Sequence, residues 1–264
     1  MTERYCFPAL SGTLPHPSFL ASAAGYSVVG IRHQANEDRF FVDSCRGLFV
    51  VTDGMGGMRG GERAAQMTID LLVQHPALYG CDTLDDDRVR VQLNQAFLDV
   101  NAEVLEEASR DGNFYGMGTT AVLGLLCRDR LYFANLGDSR AYLFRKDELI
   151  PYTVDHSLAQ TLVALGAITR DAAREHRWRH MLWKYVGLPD LKDGADLTSF
   201  RIQPGDRVVL TTDGITGVLE PREMMNVLNS HTTPAAAAEG LVRAAVACGT
   251  RDDATAVVVN FACR

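Results

Sequence analysis

Leu48-Phe49-Val50-Val51-Thr52-Asp53-Gly54-Met55-Gly56-Gly57 is an apolar run that stops abruptly at a carboxylate and a cluster of glycines. A strand that delivers one acid to a glycine turn is a common way to hold a metal ion, because glycine lets the chain turn sharply and approach closely beside the acid. The pattern recurs. Val208-Val209-Leu210-Thr211-Thr212-Asp213-Gly214 repeats the run followed by Asp-Gly, and Asp252-Asp253 precedes the apolar run Ala254 to Val259. Three strand-edge acids, far apart in sequence, can converge on one site for a hard cation.

The flanking chain supports a mixed architecture. Arg39 to Asp43 and Leu48 to Thr52 read as a strand pair joined by Ser44-Cys45-Arg46-Gly47, and Gly25 to Val29 as a short strand before them. Gly61 to Gln74 has helix-compatible apolar spacing and ends before Pro76. Asp85 to about Arg110 continues with Val89, Leu93, Phe97, Val100 and Val104 at helical spacing, its acids Asp85, Asp86 and Asp87 suiting a helix N-terminus. Strands are expected again at Thr119 to Cys127, Arg130 to Asn135 and Arg140 to Arg145. A helix follows from Ser157 to a stop at Gly166, then an irregular, basic stretch from 167 to 196. Arg207 to Thr212 reads as a strand, Glu220 to Asn229 and Ala235 to Cys248 as helices, and Ala254 to Phe261 as a closing strand. This order lacks the regular alternation of a doubly wound sheet and favours antiparallel sheets with helices packed outside. Residues 1 to about 22, broken by Pro8, Gly12, Pro15 and Pro17, read as a leader, mobile or packed over the body. One domain is expected from residue 23 to 264.

Composition bounds the function. The chain has 264 residues, 47% of them hydrophobic and 22% charged, enough for a sizeable core. A net charge of −7 argues against general nucleic-acid affinity and suits a cation-binding protein. No apolar stretch reaches the roughly 20 residues that span a bilayer, and no basic segment with an apolar core opens the chain. The cytoplasm is the expected location, with no membrane insertion. The six cysteines lack C-x-x-C spacing, so the expectation is unpaired thiols in a reducing compartment.

Five segments set acids against strands: Asn36-Glu37-Asp38, Asp53-Gly54, Gly137-Asp138-Ser139-Arg140, Asp213-Gly214 and Asp252-Asp253. Any one Asp-Gly pair fits a hairpin turn. All five together are hard to explain as turns. Two-metal hydrolysis wants this pattern: Mg²⁺ or Mn²⁺ takes oxygen ligands, and two such ions about 3.5–4 Å apart can lower the pKa of a shared water and aim it at phosphorus. The absence of paired Cys/His ligands argues against structural zinc.

These motifs, with Gly116-Met117-Gly118-Thr119-Thr120, Asn135-Leu136-Gly137-Asp138-Ser139-Arg140 and Arg251-Asp252-Asp253-Ala254-Thr255, resemble in order and spacing those of the PPM (type 2C) metal-dependent protein phosphatases, most closely the bacterial single-domain serine/threonine enzymes. The resemblance spans roughly residues 24 to 261. It implies an α+β fold, a four-layer α-β-β-α sandwich of two antiparallel sheets flanked by helices. It implies two Mn²⁺ or Mg²⁺ ions and a looser third. Asp53 would bridge the two metals, the Gly54 carbonyl would bind one, and Asp213 and Asp252 would hold the other. Glu37 and Asp38 would orient metal-bound waters, Asp138 with Asp213 would form the third site, and Asp253 would stand behind the ligands. The implied partners are phosphoserine and phosphothreonine proteins and a cognate serine/threonine kinase, with the enzyme a monomer.

The chain departs from the family in two places. Where the family has a phosphate-gripping arginine, this chain has His33, with Arg32 one residue earlier. Strand alternation would turn His33 to the phosphate and Arg32 away, whereas a bulge would bring Arg32 in; both remain open. A histidine common after the Asp-Gly turn is also missing, with Met55 and Met58 nearby instead. The segment from about 155 to 196 corresponds to the family's flap. Its stretch Arg174 to Tyr185 interleaves cations and aromatics, fitting either a docking surface for an anionic phosphoprotein or a solvated helix anchored by Trp178 or Trp183. His176 and His180 lie at a helical spacing that metal ligands can use, but with no acid placed beside them they are not counted among the ligands. The rival to a phosphatase is a catalytically weak module of the same fold that binds phosphoproteins.

Overall fold

In the computed structural model, which describes residues 19–56 and 60–263, the run Leu48 to Val51 is fully buried on both faces. Leu48 and Val50 join one core and Phe49 and Val51 another, as alternation along a strand requires. A strand apolar on both faces must lie between two layers, and this one does.

In chain order the elements are β1 (Phe19–Val28), β2 (Asp38–Asp43), β3 (Leu48–Met55), α1 (Gly60–Gln74) and α2 (Asp86–Arg110), then β4 (Gly118–Thr119), β5 (Ala121–Cys127), β6 (Arg130–Leu136), β7 (Arg140–Arg145) and β8 (Glu148–Pro151). There follow α3 (Leu158–Ala164), α4 (Arg170–Arg174), β9 (Asp196–Arg201), β10 (Arg207–Thr211), α5 (Asp213–Thr216), α6 (Pro221–Ser230), α7 (Pro234–Ala247) and β11 (Ala254–Cys263). One antiparallel sheet runs β1-β11-β10-β7-β8, and the other runs β2-β3-β5-β6-β9 with β4 added to β3.

Three cores define four layers. Phe49, Val51, Val122 and Phe133 meet Leu143, Val208, Leu210 and Val257 between the sheets. Leu48, Val50, Leu123 and Leu125 pack outward on Ala64 and Leu72 of α1 and on Leu93 and Phe97 of α2. Val209, Ala256 and Val258 pack outward on Met224 and Leu228 of α6 and on Leu241 and Val242 of α7. The expected four-layer sandwich is the observed one.

Local differences have local causes. β1 takes in residues 19–22 of the expected leader, pairing from Phe19↔Cys263 to Val28↔Ala254; small residues at Ala21 to Ala24 hid it. Residues 1–18, and Met58, lie outside the described residues. The expected strand Thr119 to Cys127 is two strands, parted at Thr120, whose N–H leaves the ladder to reach the Asp53 carbonyl. Short, largely exposed β8 and mostly polar β9 carried no strand signal. The largest correction concerns cysteine: Cys81 and Cys127 form a disulfide with Cα atoms 5.7 Å apart, although 46 residues separate them. Only folding brings them together, so spacing could not reveal the pair. Among the described residues no helix is long and apolar enough to cross a membrane.

Candidate metal centre

The ends of β3, β6, β10 and the start of β11 carry acids to one end of the sandwich. β2 and β3 pair Asp38 directly with Asp53. Asp38 is buried, and its Oδ2 accepts from Thr212 Oγ1 at 2.9 Å and Thr255 Oγ1 at 2.6 Å. Its Oδ1 is buried without a hydrogen-bond partner. An unpaired buried carboxylate oxygen is costly unless something binds it.

The acids crowd one another. Burial, then the charges of Asp38, Asp213, Asp138 and Asp252, push the Asp53 carboxyl well above the usual range. Burial does the same to Asp38, with Asp253 and Asp213 adding to it. Asp138 is raised by burial and by Asp213 and Asp155, and Asp252 by burial and Asp213. A cluster of carboxylates that resist ionising side by side is poised for divalent cations, whose charge reverses that penalty. The oxygen-only donor set suits Mg²⁺ or Mn²⁺.

Hydroxyls and glycines hold the cluster's backbone. The Asp53 N–H donates to Thr120 Oγ1 at 3.0 Å, while the Asp53 carbonyl accepts from the Thr120 N–H and Thr119 Oγ1, both at 2.8 Å. Thr120 Oγ1 also meets Ser139 Oγ at 2.6 Å, tying Asp53 to the turn that carries Asp138. A Cβ on Gly54 would lie 2.2 Å from the Gly61 carbonyl oxygen, and one on Gly214 would lie 1.8 Å from the Asp253 carbonyl oxygen. No other residue fits at either place.

Asp252 and Asp253 face different tasks. Asp253 is buried; its Oδ1 accepts from the Gly30 N–H at 2.7 Å, and its Oδ2 accepts from the Glu37 N–H at 2.6 Å and contacts His33 Nδ1 at 3.0 Å. It anchors the loop from Gly30 to Glu37. Asp252 is partly exposed beside the other acids. The Glu37 carboxylate lies over the start of α1, where a Cβ on Gly61 would come within 2.6 Å of it, and burial raises its pKa.

The strand argument about His33 and Arg32 does not hold. Residues 29–37 are not strand: the His33 N–H donates to the Gly30 carbonyl, and the Arg32 N–H donates to the Arg251 carbonyl. In this turn both side chains face Asp252, His33 Nδ1 at 3.8 Å and an Arg32 guanidinium nitrogen at 3.9 Å. Burial lowers the pKa of His33, but the Asp253 hydrogen bond and the charges of Asp253, Asp252 and Glu37 outweigh it and hold the imidazole above its ordinary value.

The sequence reading set His180 aside as a ligand for want of an acid partner. The chain from 175 to 185 turns repeatedly instead of forming a helix, so His176 and His180 do not share a face. His176 packs on Trp178, whereas His180 Nδ1 lies 3.2 Å from Asp213 Oδ2. Asp138, His180 and Asp213 bring potential ligand atoms within 4.8 Å of one another. The acid partners of His180 are distant in sequence, and no local pattern ties them to it.

Residues 31–162, half of the chain, match the family model described as protein phosphatase 2C. The serine/threonine phosphatase Stp of Listeria innocua is 31% identical over 237 residues, covering 87% of this chain and 91% of its own. The catalytic domain of the phosphatase PstP, solved with two manganese ions, superposes with a TM-score of 0.80 at 27% identity, over 92% of this chain and 99% of that one. PppA, described as a key regulatory component of the type VI secretion system in Pseudomonas aeruginosa, superposes at 0.78 with 29% identity, over 91% and 97%. With these relatives, and with an oxygen-rich acid cluster at one end of a two-sheet sandwich, the chain belongs to the protein phosphatase 2C family of metal-dependent serine/threonine phosphatases.

Proposed function

We propose that this phosphatase hydrolyses phosphoserine and phosphothreonine in proteins by direct attack of water, using two Mn²⁺ or Mg²⁺ ions. Asp53, the Gly54 carbonyl, Asp213 and Asp252 would hold the pair, and Asp138 and Asp213, joined by His180, a third. When bound, the ions supply a water of lowered pKa and neutralise the phosphoryl oxygens. Asp38 keeps its unpaired Oδ1 turned to no protein partner, leaving it and Glu37 to accept hydrogen bonds from water in the site. His33 and Arg32, whose side chains both face Asp252, grip the substrate phosphate. A serine/threonine kinase acting on the same proteins is the expected counterpart, in the cytoplasm.

The observation that carries this reading is the set of mutually repelling carboxylates around Asp53. The two manganese ions in the PstP structure support it by similarity. The test is manganese-dependent hydrolysis of p-nitrophenyl phosphate and of a phosphothreonine peptide. Activity should vanish with chelator and in folded Asp53→Ala. Activity indifferent to both would refute the mechanism, and no turnover with retained phosphopeptide binding would favour the weak binding module. In His33→Ala, KM for the peptide should rise; an unchanged KM would assign the grip to Arg32.

A further inference from the structure

His156 lies outside the ligand set, yet it holds both backbone polar groups of one residue, Gly137, at the metal centre, and so the peptide units on either side of that residue. Its Nδ1 accepts from the Gly137 N–H at 3.0 Å, and its own N–H donates to the Gly137 carbonyl at 3.0 Å. Gly137 has φ +105°, and a Cβ there would lie 2.6 Å from the Thr120 methyl carbon. The next residue is Asp138. Glycine takes this conformation without strain and has no side chain to hold it there, so its surroundings must fix it.

An imidazole that accepts at Nδ1 carries its single proton on Nε2. Asp196 Oδ2 lies 3.1 Å from Nε2, a close approach to the Nε2–H that falls short of an aligned hydrogen bond. Asp196 is also bonded to Lys184, which is buried. Burial holds His156 below the ordinary imidazole pKa, consistent with the neutral ring. The far side of the ring packs edge-on against Trp183 at 5.0 Å, and the Trp183 N–H donates to the His156 carbonyl at 2.9 Å. The neighbours of His156 fasten further elements. Asp155 takes Arg140, at the start of β7, through two hydrogen bonds of 2.8 and 2.7 Å. Ser157 caps α3 and bridges to Leu182.

We propose that His156 is a positioning residue for the phosphatase reaction: as the Nε2–H tautomer its ring holds the Gly137 N–H while its backbone N–H holds the Gly137 carbonyl, which together fix Gly137, and so the Asp138 carboxylate, in register with the segment Leu182 to Val186. The part of this that concerns Asp138 rests on the cation site proposed above. The geometry accounts for a buried histidine that makes no contact with any proposed ligand. It also gives segment 155–196 a mechanical connection to the acids that does not pass through substrate.

Two measurements test it. In the wild-type protein, ¹⁵N spectra of the histidines with chelator present should show Nδ1 of His156 unprotonated near neutral pH; a protonated Nδ1 would overturn the assignment without reference to metal or activity. Variants then separate positioning from packing. His156→Asn places an amide oxygen as many bonds from Cβ as Nδ1, so it can still accept from Gly137. His156→Gln reaches only the Nε2 position. His156→Gln should lose about 10–100-fold in kcat, the range for outer-shell ligand supports, with KM for a phosphothreonine peptide within about twofold. His156→Asn should recover most of that loss. Protection of the Gly137 amide from hydrogen exchange should follow the same order. Equal losses in the two variants with the Gly137 amide still protected would refute positioning. Should both unfold, the ¹⁵N result alone decides. If Asp53→Ala abolishes manganese-dependent activity while the His156 variants behave alike, this inference fails and the metal reading stands.

Discussion

Asp53 acts against the stability of its own fold when no cation is present. Its carboxyl is raised by burial and by Asp38, Asp213, Asp138 and Asp252, so the native state binds more protons than the unfolded chain between the ordinary carboxylate range, about pH 4, and the raised values. Over that window the unfolding free energy must fall as pH rises. In chelator, the wild type should therefore lose stability from mildly acidic toward neutral pH relative to Asp53→Asn, and Asp53→Asn should melt higher at neutral pH. Manganese should reverse the order, adding about 2.7 kcal/mol per site at a hundredfold excess over Kd for the wild type and less for the variant. Melting curves with and without metal read this directly. Equal pH profiles for the two proteins in chelator would count against a crowded acid cluster.

At the scale of elements, acids at strand ends divide into those that serve the site and those that serve the sheet. Asp206, just before β10, is buried and takes Arg145 of β7 through two hydrogen bonds of 2.7 and 2.6 Å. Asp206→Ala should lose about 1.5–3 kcal/mol, the span for hydrogen bonds to charged groups, and leave the manganese dependence of activity unchanged. Thr120→Val keeps the shape but leaves the Asp53 N–H and Ser139 Oγ without their partner. It should destabilise by about 1–3 kcal/mol and also weaken manganese activation. Titration of activity with manganese separates the two variants, and identical curves would deny Thr120 its connecting role. The sequence marked Asp53, Asp213 and Asp252 because a strand run followed by Asp is a local pattern. Thr120, Thr212, Thr255, His156 and His180 carried no such mark. The Asp38 hydroxyl partners are 174 and 217 residues away, and such partners exist only after the sheets have stacked.

The whole molecule separates chemistry from cross-linking. β5 starts beside Thr120 at the acid end and finishes at Cys127, about 20 Å away at some 3.3 Å per residue, where the disulfide to Cys81 ties the start of the α2 layer to the sheet. Reduction should lower stability by about 2–4 kcal/mol, as expected for a loop of this order, with kcat unaltered. A fall in kcat at a temperature where the reduced protein stays folded would show that the two ends communicate. The fold itself was legible from alternation and element order, since β3 is apolar on both faces. The boundary of β1, the strands β8 and β9, and the cysteine pair were not, because pairing and burial rather than side-chain type define them.

The bare main chain at Gly30, Gly54 and Gly214 has one further consequence. A Cβ on Gly30 would stand 2.2 Å from the Asp252 carbonyl carbon, and the other two positions are as tight. The spacing of the acids is therefore set by peptide units in van der Waals contact, which cannot rotate out of the way as side chains can. Exchanging one ligand side chain for another leaves that spacing intact, whereas adding a single methyl group at a glycine changes it for every acid at once. Attempts to retune the centre for a different cation thus have their freedom in the carboxylates and none in the glycines.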